Sequence, residues 1–213
     1  MALILDSKNI RTYSRSEAVV FAKTKEKFGG LSNMASGYPL YVNQVTILTT
    51  EALYQACRYP HAPLLQQKII EQVSPMSAKE VSREFDHESR QDWIKIRHQV
   101  MRWCLRIKLA QNFDSFGQLL LSTKELPIVE LSYKDEFWGA RPLINNPNEL
   151  RGQNNLGRLL MELRELLKNT DEERLKYVTS IKIPNFTLLG SDIDVITNQM
   201  NIEKSESIQS KLF

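Results

Sequence analysis

Residues 92–111 show the most regular helical periodicity in the chain and constrain its fold more than any other segment. Apolar side chains recur there at spacings of three and four, which places them on one face of an α-helix. They are Trp93, Ile96, Val100, Trp103, Cys104, Ile107 and Ala110. The opposite side carries a basic stripe made of Lys95, His98, Arg102 and Arg106. The stripe is interpreted either as a solvated helix face or as a surface that contacts the phosphates of a nucleic acid.

Shorter patterns on both sides of this helix predict a mainly α, single-domain fold with a few short β-strands. The other predicted helices are one that begins near Glu51 and those over residues 64–73, 77–85, 113–122 and 156–167. The predicted strands are residues 18–22 and 128–131, with a hairpin over 38–48. We divide the chain into a catalytic domain, residues 1–169, and a C-terminal extension, residues 170–213. The extension is expected to pack on the body and to fray from Asn198 onward, where the sequence is polar.

The composition is that of an ordinary soluble globular protein, with 42% hydrophobic and 25% charged residues. The N-terminus lacks a basic region followed by an apolar run, and no stretch approaches the length of a membrane span, so we predict a cytoplasmic protein without a membrane partner. Cys57 and Cys104 are expected to be buried free thiols. The three histidines form no ligand pattern with each other or with the cysteines. We therefore predict no metal and no cofactor.

The positive charge is concentrated in the first part of the chain. Residues 170–213 contain five basic and seven acidic side chains, whereas the whole chain has a net charge of +3. Residues 1–169 therefore carry a net charge of +5. A mildly basic domain is compatible with a nucleotide or nucleic-acid partner without requiring one.

Glu51 is the first candidate for chemistry. It falls in the first turn of a predicted helix, where the helix dipole favours a carboxylate. Tyr54, Gln55 and Arg58 follow three, four and seven residues later and therefore share its face. One interpretation is a glutamate that complements the helix dipole on a solvated face. The other is a pocket carboxylate with an amide and an aromatic ring one turn away.

Asp135 is the second candidate carboxylate, and it precedes Trp138-Gly139 in a predicted loop. A tryptophan beside a glycine in a loop can offer its flat face to a ring. The alternative is an aspartate that only starts a turn, beside a half-buried tryptophan. Cleavage of a glycosidic bond requires two carboxylates from separate segments, one to protonate the leaving group and one to activate water or stabilise the transition state.

Two glycine-containing runs and one lysine complete the candidates. Residues 152–157 lead into a helix with amide groups suited to anions and sugar hydroxyls, although an asparagine there can equally be a simple N-cap. Residues 29–34 form either a binding loop or a plain tight turn. Their spacing matches neither a P-loop nor a dinucleotide-binding fingerprint. Lys108 lies at the margin of the apolar face of the 92–111 helix, as a nucleophile, an acid or a structural lysine.

In their order along the chain, these residues resemble the NADAR (YbiA-like) domain family over about residues 20–168. The elements that carry the resemblance are Leu31-Ser32-Asn33, Glu51-x-x-Tyr54-Gln55-Ala56, Trp93…Met101-Arg102…Lys108, Leu120…Thr123, Val129-Glu130, Asp135…Trp138-Gly139 and Gly152-x-Asn154-x-Leu156-Gly157…Leu160-Met161…Arg164. Residues 28–34, 51–58, 101–106 and 137–140 are most similar to DarG-type NADAR antitoxins, which are paired with DarT-type toxins that attach ADP-ribose to guanine in DNA. Ala52, Arg58 and Ala140-Arg141-Pro142 depart from the pattern of many family members, which disfavours a riboflavin-type substrate more than it disfavours the reaction type.

The resemblance implies an enzyme that removes ADP-ribose from guanine in DNA by cleaving the N-glycosidic bond. Its ligands are ADP-ribosylated DNA in single-stranded or flipped form, ADP-ribose as the product and the cognate toxin. The implied catalytic residues are Glu51 and Asp135 as the acid/base pair, with Lys108 as a counter-charge for the diphosphate or as a nucleophile. The implied binding residues are Ser32, Asn33, Tyr54, Gln55, Arg58, Trp93, Arg102, Trp138, Gly139, Gly152 and Asn154. The alternatives are an N-glycosidase of riboflavin-pathway intermediates and a module that binds ADP-ribose or a toxin without catalysis.

Overall fold

The computed structural model describes residues 9–197, which contain seven α-helices and nine β-strands. The helices are α1 (Thr50–Ala56), α2 (Pro63–Ile70), α3 (Pro75–Glu84), α4 (Trp93–Gln111), α5 (Phe113–Leu121), α6 (Asn155–Asn169) and α7 (Glu172–Leu175). The strands are β1 (Arg11–Ser14), β2 (Val19–Phe21), β3 (Leu40–Val42), β4 (Val45–Ile47), β5 (Ile128–Glu130), β6 (Arg141–Leu143), β7 (Asn146–Gly152), β8 (Thr187–Leu188) and β9 (Ser191–Asp192). No helix within the described range is long and apolar enough to cross a membrane.

The fold is mixed α/β, and the expectation of a mainly α protein was wrong in this respect. Three strands outside the predicted set form an antiparallel sheet of order β1-β7-β6. Their sequences are polar and lack the alternation of apolar and polar residues that identifies a strand, because most of their side chains are at least partly exposed. Backbone pairing builds this sheet, with Arg11 opposite Gly152 and Ser14 opposite Glu149.

Several local predictions from the sequence are confirmed. Asn43 and Gln44 both have positive φ angles, 48° and 64°, and they join β3 and β4 in the predicted hairpin. Thr49 caps α1, its hydroxyl accepting a hydrogen bond from the backbone N–H of Ala52 at 3.2 Å. The two predicted strands β2 and β5 pair with each other in parallel.

The chain divides into two compact units, each formed from two separate stretches of sequence. The first unit comprises the described part of Met1–Ser32 together with Gly117–Asn169, and it contains the β1-β7-β6 sheet, the β2–β5 pair and α6. The second unit comprises Asn33–Phe116 together with the described residues that follow Thr170. It contains helices α1–α4, and α1 contacts the other three.

The described part of the C-terminal segment packs within the second unit. The Nε1–H of Trp103 donates to the carbonyl oxygen of Thr179 at 3.0 Å, and the Phe186 ring meets the Trp103 ring edge-on. Val178 and Ile196 form an antiparallel bridge. The buried side chain of Gln66 donates to the carbonyl oxygen of Thr187 and accepts from the N–H of Leu189 at 2.7 Å. The predicted fraying from Asn198 onward concerns residues outside the described range.

Replacing Gln66 tests how strongly this segment is anchored. We expect Gln66→Leu to destabilise the protein by roughly 2–4 kcal/mol, because the carbonyl of Thr187 and the N–H of Leu189 lose their buried partner. Gln67→Leu, one residue along on the exposed side of α2, should change the free energy of unfolding by less than about 0.5 kcal/mol. Urea denaturation of both variants measures the difference, and equal effects would contradict the assigned anchoring role.

Candidate active site

Glu51 lies inside the second unit on a helix whose seven residues are all buried. The Glu51 side chain is only 2% exposed. Its Oε2 accepts a hydrogen bond from the Nδ2 of Asn33, and its Oε1 accepts one from the Nε2 of Gln55 at 2.7 Å. The backbone N–H of Glu51 also donates to the carbonyl oxygen of Asn33 at 3.0 Å. The carboxyl group is therefore held at both oxygens by amide donors, which defines its orientation.

Gln55 connects the Glu51 carboxyl group to a second group of polar side chains. Its Oε1 accepts hydrogen bonds from the hydroxyl of Ser82 at 2.7 Å and from Nη1 of Arg58 at 3.2 Å. The Nη2 of Arg58 pairs with Asp86 and donates to the Ser89 hydroxyl at 2.8 Å. Residues from α1, the turn after α1, α3 and the turn after α3 thus form one connected hydrogen-bond network that ends on the Glu51 carboxyl group.

Two aromatic rings lie beside this network. The ring centroids of Tyr54 and Trp93 are 5.0 Å apart with a tilt of 49°. The guanidinium of Arg58 lies 5.5 Å from the centre of the Trp93 ring, close enough for a cation–π interaction. Six of the predicted site residues are therefore brought together by hydrogen bonds and ring contacts, namely Asn33, Glu51, Tyr54, Gln55, Arg58 and Trp93.

Burial is the main influence on the ionisation of Glu51. It raises the pKa of the carboxyl group above its usual value, because a charged group is poorly solvated in the interior. The charge of Lys79, the hydrogen bond from Gln55 and the charges of Arg58 and Arg83 oppose this effect without cancelling it. A carboxyl group with a raised pKa is suited to exchanging protons close to neutral pH.

Lys108 is fully buried in the same unit, on the last turns of α4. Its Nζ lies 4.4 Å from the ring centre of Tyr38 and 4.3 Å from that of Phe116. Desolvation lowers the pKa of Lys108 to about 7. Near neutral pH the amine is therefore divided between its charged and neutral forms, as a nucleophilic lysine requires.

Arg102 lies on a different face of α4 from Trp93. Nine residues separate the two, which is two and a half turns of an α-helix and places them on opposite sides. Arg102 is exposed, whereas Trp93 is buried beside Tyr54. The structure therefore does not bring Arg102 into the network of Glu51, and its predicted role in binding substrate stays a prediction.

Asp135 lies in the first unit and organises the loop that contains Trp138. Its Oδ1 accepts hydrogen bonds from the backbone N–H groups of Phe137 and Trp138, both at 2.9 Å. The Trp138 ring is half-buried and stands edge-on to the ring of Phe137, with 4.9 Å between centroids. Asp135 therefore forms a turn, which was one of its two interpretations from the sequence. Its other carboxylate oxygen, Oδ2, accepts neither of these two hydrogen bonds. Its pairing with Glu51 stays a prediction.

Gly139 and Gly152 are buried where two backbone segments meet in the first unit. A β-carbon at Gly152 would lie 2.3 Å from the carbonyl oxygen of Gly139, and one at Gly139 would lie 2.6 Å from that of Glu130. Both contacts are too short for any side chain. Close packing of the backbone thus explains both glycines, and ligand binding by them stays a prediction.

The start of α6 is occupied by the loop that precedes it. The backbone N–H groups of residues 153–156 donate to the carbonyl oxygens of residues 136–139 at 2.7–3.1 Å. Asn154 has a φ of 49°, and its side chain donates to the carbonyl of Ile128 at 2.8 Å and accepts from the N–H of Glu130 at 3.1 Å. The N–H groups therefore position the Trp138 loop, and the Asn154 amide holds the start of α6 against β5. Ser32 is buried in the same unit, directly after the turn Gly29–Leu31.

The described residues contain no group of three or more histidine, cysteine, aspartate or glutamate side chains that could hold a metal ion. Cys57 and Cys104 are buried free thiols, as the sequence predicted.

Comparison with known proteins agrees with the family expected from the motifs. The NADAR domain profile matches residues 20–168, which is more than half of the chain. The chain belongs to the NADAR domain family. N-glycosidase YbiA of Escherichia coli is 32% identical over 165 residues, which cover 76% of this chain and 95% of YbiA. The NMR structure of E. coli YbiA matches with a TM-score of 0.59, covering 71% of this chain and 86% of that one.

A Vibrio vulnificus protein named as a riboflavin biosynthesis protein is also similar to this NADAR domain. The two are 31% identical over 179 residues, which cover 83% of this chain but only 46% of the Vibrio protein. The present chain therefore spans about half the length of that relative.

Sequence reasoning missed several residues that shape the site of this NADAR domain. Ser82 joins Gln55 to Arg58, and Asp86 pairs with Arg58. Tyr38 and Phe116 enclose the Lys108 amine. These residues are far apart along the chain, so no local sequence pattern indicated that they would meet. A buried glutamine or arginine needs hydrogen-bond partners, and Ser82 in the predicted helix 77–85 was a candidate partner.

The lowered pKa of Lys108 predicts a specific dependence of stability on pH. The unfolded lysine binds a proton up to about pH 10.5 and the folded one only up to about pH 7. The unfolded state therefore binds more protons in this window, and stability rises with pH, by at most about 1.4 kcal/mol per pH unit.

Lys108→Met should remove this rise in the free energy of unfolding. The variant should therefore be more stable than wild type at pH 7, and this difference in stability should have almost disappeared by pH 10. Urea denaturation at pH 7, 8, 9 and 10 measures it. Lys68→Met, which replaces an exposed lysine of α2, serves as the control. Parallel curves for wild type and Lys108→Met would show that the folded lysine is charged throughout.

Proposed function

We propose that this NADAR domain is a hydrolase of N-glycosidic bonds. The observation that carries the proposal is the Glu51 carboxyl group, which is buried, held at both oxygens by Asn33 and Gln55, and raised in pKa. Hydrolysis at an anomeric carbon needs a positioned group that transfers a proton to the leaving nitrogen or takes one from water. The name N-glycosidase, which the relative YbiA carries, supports the same class of reaction.

The reaction breaks the bond between the anomeric carbon of ribose and a nitrogen atom, and water adds to that carbon. Glu51 and Asp135 share the acid and base roles in this proposal, one on the leaving nitrogen and one on the water. The ring of Trp138 stacks on a base or shapes the ribose site. Lys108 has two candidate roles, as counter-charge for a diphosphate or as an amine that attacks the anomeric carbon.

For the substrate we propose guanine in DNA that carries ADP-ribose, with the domain acting as a DarG-type antitoxin to a DarT-type toxin. Residues 28–34, 51–58, 101–106 and 137–140 support this choice, because they resemble that subgroup most closely. The net charge of +5 on residues 1–169 suits a polyanionic substrate. A base inside a duplex is inaccessible, so the substrate is expected as a single strand or with the base flipped out.

A second candidate substrate is a ribosylamino intermediate of the riboflavin pathway. The name of the Vibrio relative favours it, since that protein is called a riboflavin biosynthesis protein. This alternative uses the same Glu51 chemistry on a small phosphorylated molecule. It predicts no salt-dependent affinity for DNA. A third alternative is a module that binds ADP-ribose or the toxin and cleaves nothing.

The deciding experiment offers both substrates to the full chain. We expect release of ADP-ribose from an oligonucleotide modified on guanine, followed by chromatography, and little release of base from a ribosylaminopyrimidine phosphate. The reverse preference would select the riboflavin-type reaction. Stabilisation by ADP-ribose in a melting experiment, without product from either substrate, would select the binding module.

Glu51→Gln is the matched variant for this assay. We expect the rate to fall by about 10²–10⁴-fold, because glutamine cannot transfer the proton. Glu80→Gln, which neutralises an exposed glutamate of α3, should leave the rate unchanged. Both variants are compared at a temperature where circular dichroism shows them folded. Wild-type turnover by Glu51→Gln would refute the assigned role of Glu51.

Asp135→Asn separates the chemical role of Asp135 from its role in the turn. Asparagine keeps an Oδ1 acceptor for the N–H groups of Phe137 and Trp138, so the loop should persist. If Asp135 transfers a proton, the rate falls by about 10²–10⁴-fold with little change in melting temperature. Asp135→Ala removes both roles and should also lower the melting temperature. An unchanged rate for Asp135→Asn would leave Asp135 with the turn alone.

A further inference from the structure

A groove of about 520 Å³ lies along the basic face of α4 in the second unit. One wall carries Lys95, His98, Arg102 and Arg106, and the other is formed by residues 177–181 of the C-terminal segment. A volume of this size is typical of ligand sites. The NADAR domain profile matches residues 20–168, so the second wall lies outside the matched residues.

The C-terminal wall is anchored at several points. Its Thr179 carbonyl accepts the indole N–H of Trp103, whose side chain also lines the groove. Val178 exchanges backbone hydrogen bonds of 2.9 Å with Ile196 in both directions. The groove is therefore held open by packed and hydrogen-bonded elements, which lowers the entropy cost of binding a ligand there.

Basic side chains of α4 line the groove. No carboxylate is among the described residues that line it, and Glu172 and Glu173, which precede the wall, both pair with Lys176. The Nε of Arg106 is buried and donates no hydrogen bond to any described residue. A buried donor without an acceptor is unfavourable, and an anionic ligand would supply the acceptor.

The groove is separate from the network of Glu51. Its basic residues occupy the face of α4 opposite Trp93, which faces Tyr54 and Arg58. From Lys95 to Arg106 the helix rises about 16 Å at roughly 1.5 Å per residue. A strand that lies along this length can bring more than one phosphate within reach of the α4 cations. Tyr177, which is 57% exposed, stands on the opposite wall with its ring available for stacking.

We propose that this groove binds the phosphodiester backbone of single-stranded DNA, with Tyr177 stacking on a base. It holds the strand that flanks the modified guanine, and this assignment to DNA rests on the proposed function. The cations of α4 contact the phosphates, and such contacts are independent of base sequence. A positive groove with an aromatic ring is the usual arrangement in proteins that bind single strands without sequence preference.

The test measures binding of an unmodified, fluorescent thymidine 12-mer to the full chain by anisotropy at several salt concentrations. Wild type should bind with an affinity that falls linearly with salt on logarithmic scales. The double variant Lys95→Gln/Arg106→Gln should bind at least about tenfold more weakly, with a slope lower by about 1.4, since each phosphate contact contributes roughly 0.7. The control Lys25→Gln/Lys68→Gln makes the same change in charge at exposed lysines outside the groove and should bind like wild type.

Tyr177→Ala tests the other wall without removing a charge, and we expect binding roughly fivefold weaker at an unchanged salt slope. Equal binding of the 12-mer by the two double variants would overturn the proposal that the groove binds DNA. Full displacement of the 12-mer by AMP at the same phosphate concentration would also overturn it, in favour of a site for one nucleotide.

The activity assay distinguishes this inference from the proposed function. DNA binding that depends on the groove, without release of ADP-ribose, would keep the groove and refute the hydrolase. Release of ADP-ribose with DNA binding that is insensitive to the groove variants would do the opposite.

Discussion

Complete burial of α1 is the constraint on which the rest of the site depends. All seven of its residues are inaccessible, although two of them are Glu51 and Gln55. A carboxyl group in the interior is stable only when its oxygens are hydrogen-bonded, and Asn33 and Gln55 supply those bonds. Gln55 in turn needs Ser82 and Arg58 at its own oxygen. The contact between α3 and α1 therefore includes hydrogen bonds on which the orientation of the buried Glu51 carboxyl group depends.

Burial of α1 also determines the direction in which the pKa of Glu51 is shifted. Burial favours the neutral carboxyl group and raises its pKa, while nearby cations and the Gln55 amide favour the anion. On balance the pKa of Glu51 is raised, and the carboxyl group lies on a helix that is buried along its whole length. The amine of Lys108 is buried beside the rings of Tyr38 and Phe116. Burial disfavours its charged form and therefore lowers its pKa.

Helix α4 has two faces of different chemistry. One carries Trp93 towards Tyr54 and Arg58, and the other carries the basic side chains of the groove. The amphipathic pattern of residues 92–111 predicted this division, including the two interpretations of the basic stripe. It did not indicate that residues 177–181 would cover the stripe on one side, because that contact joins segments about 75 residues apart, as in the Trp103–Thr179 hydrogen bond.

The sequence alone determined the elements that rest on local chemistry, and it determined the family. The hairpin at Asn43-Gln44, the Thr49 cap and the periodicity of α4 follow from neighbouring residues and were predicted. Tertiary structure decided the polar β1-β7-β6 sheet and the use of the Asn154 amide to bind the backbone of β5. It also decided that Glu51 is buried rather than solvated. A backbone hydrogen bond or a buried acid depends on partners distant in sequence, and these become neighbours only when the chain folds.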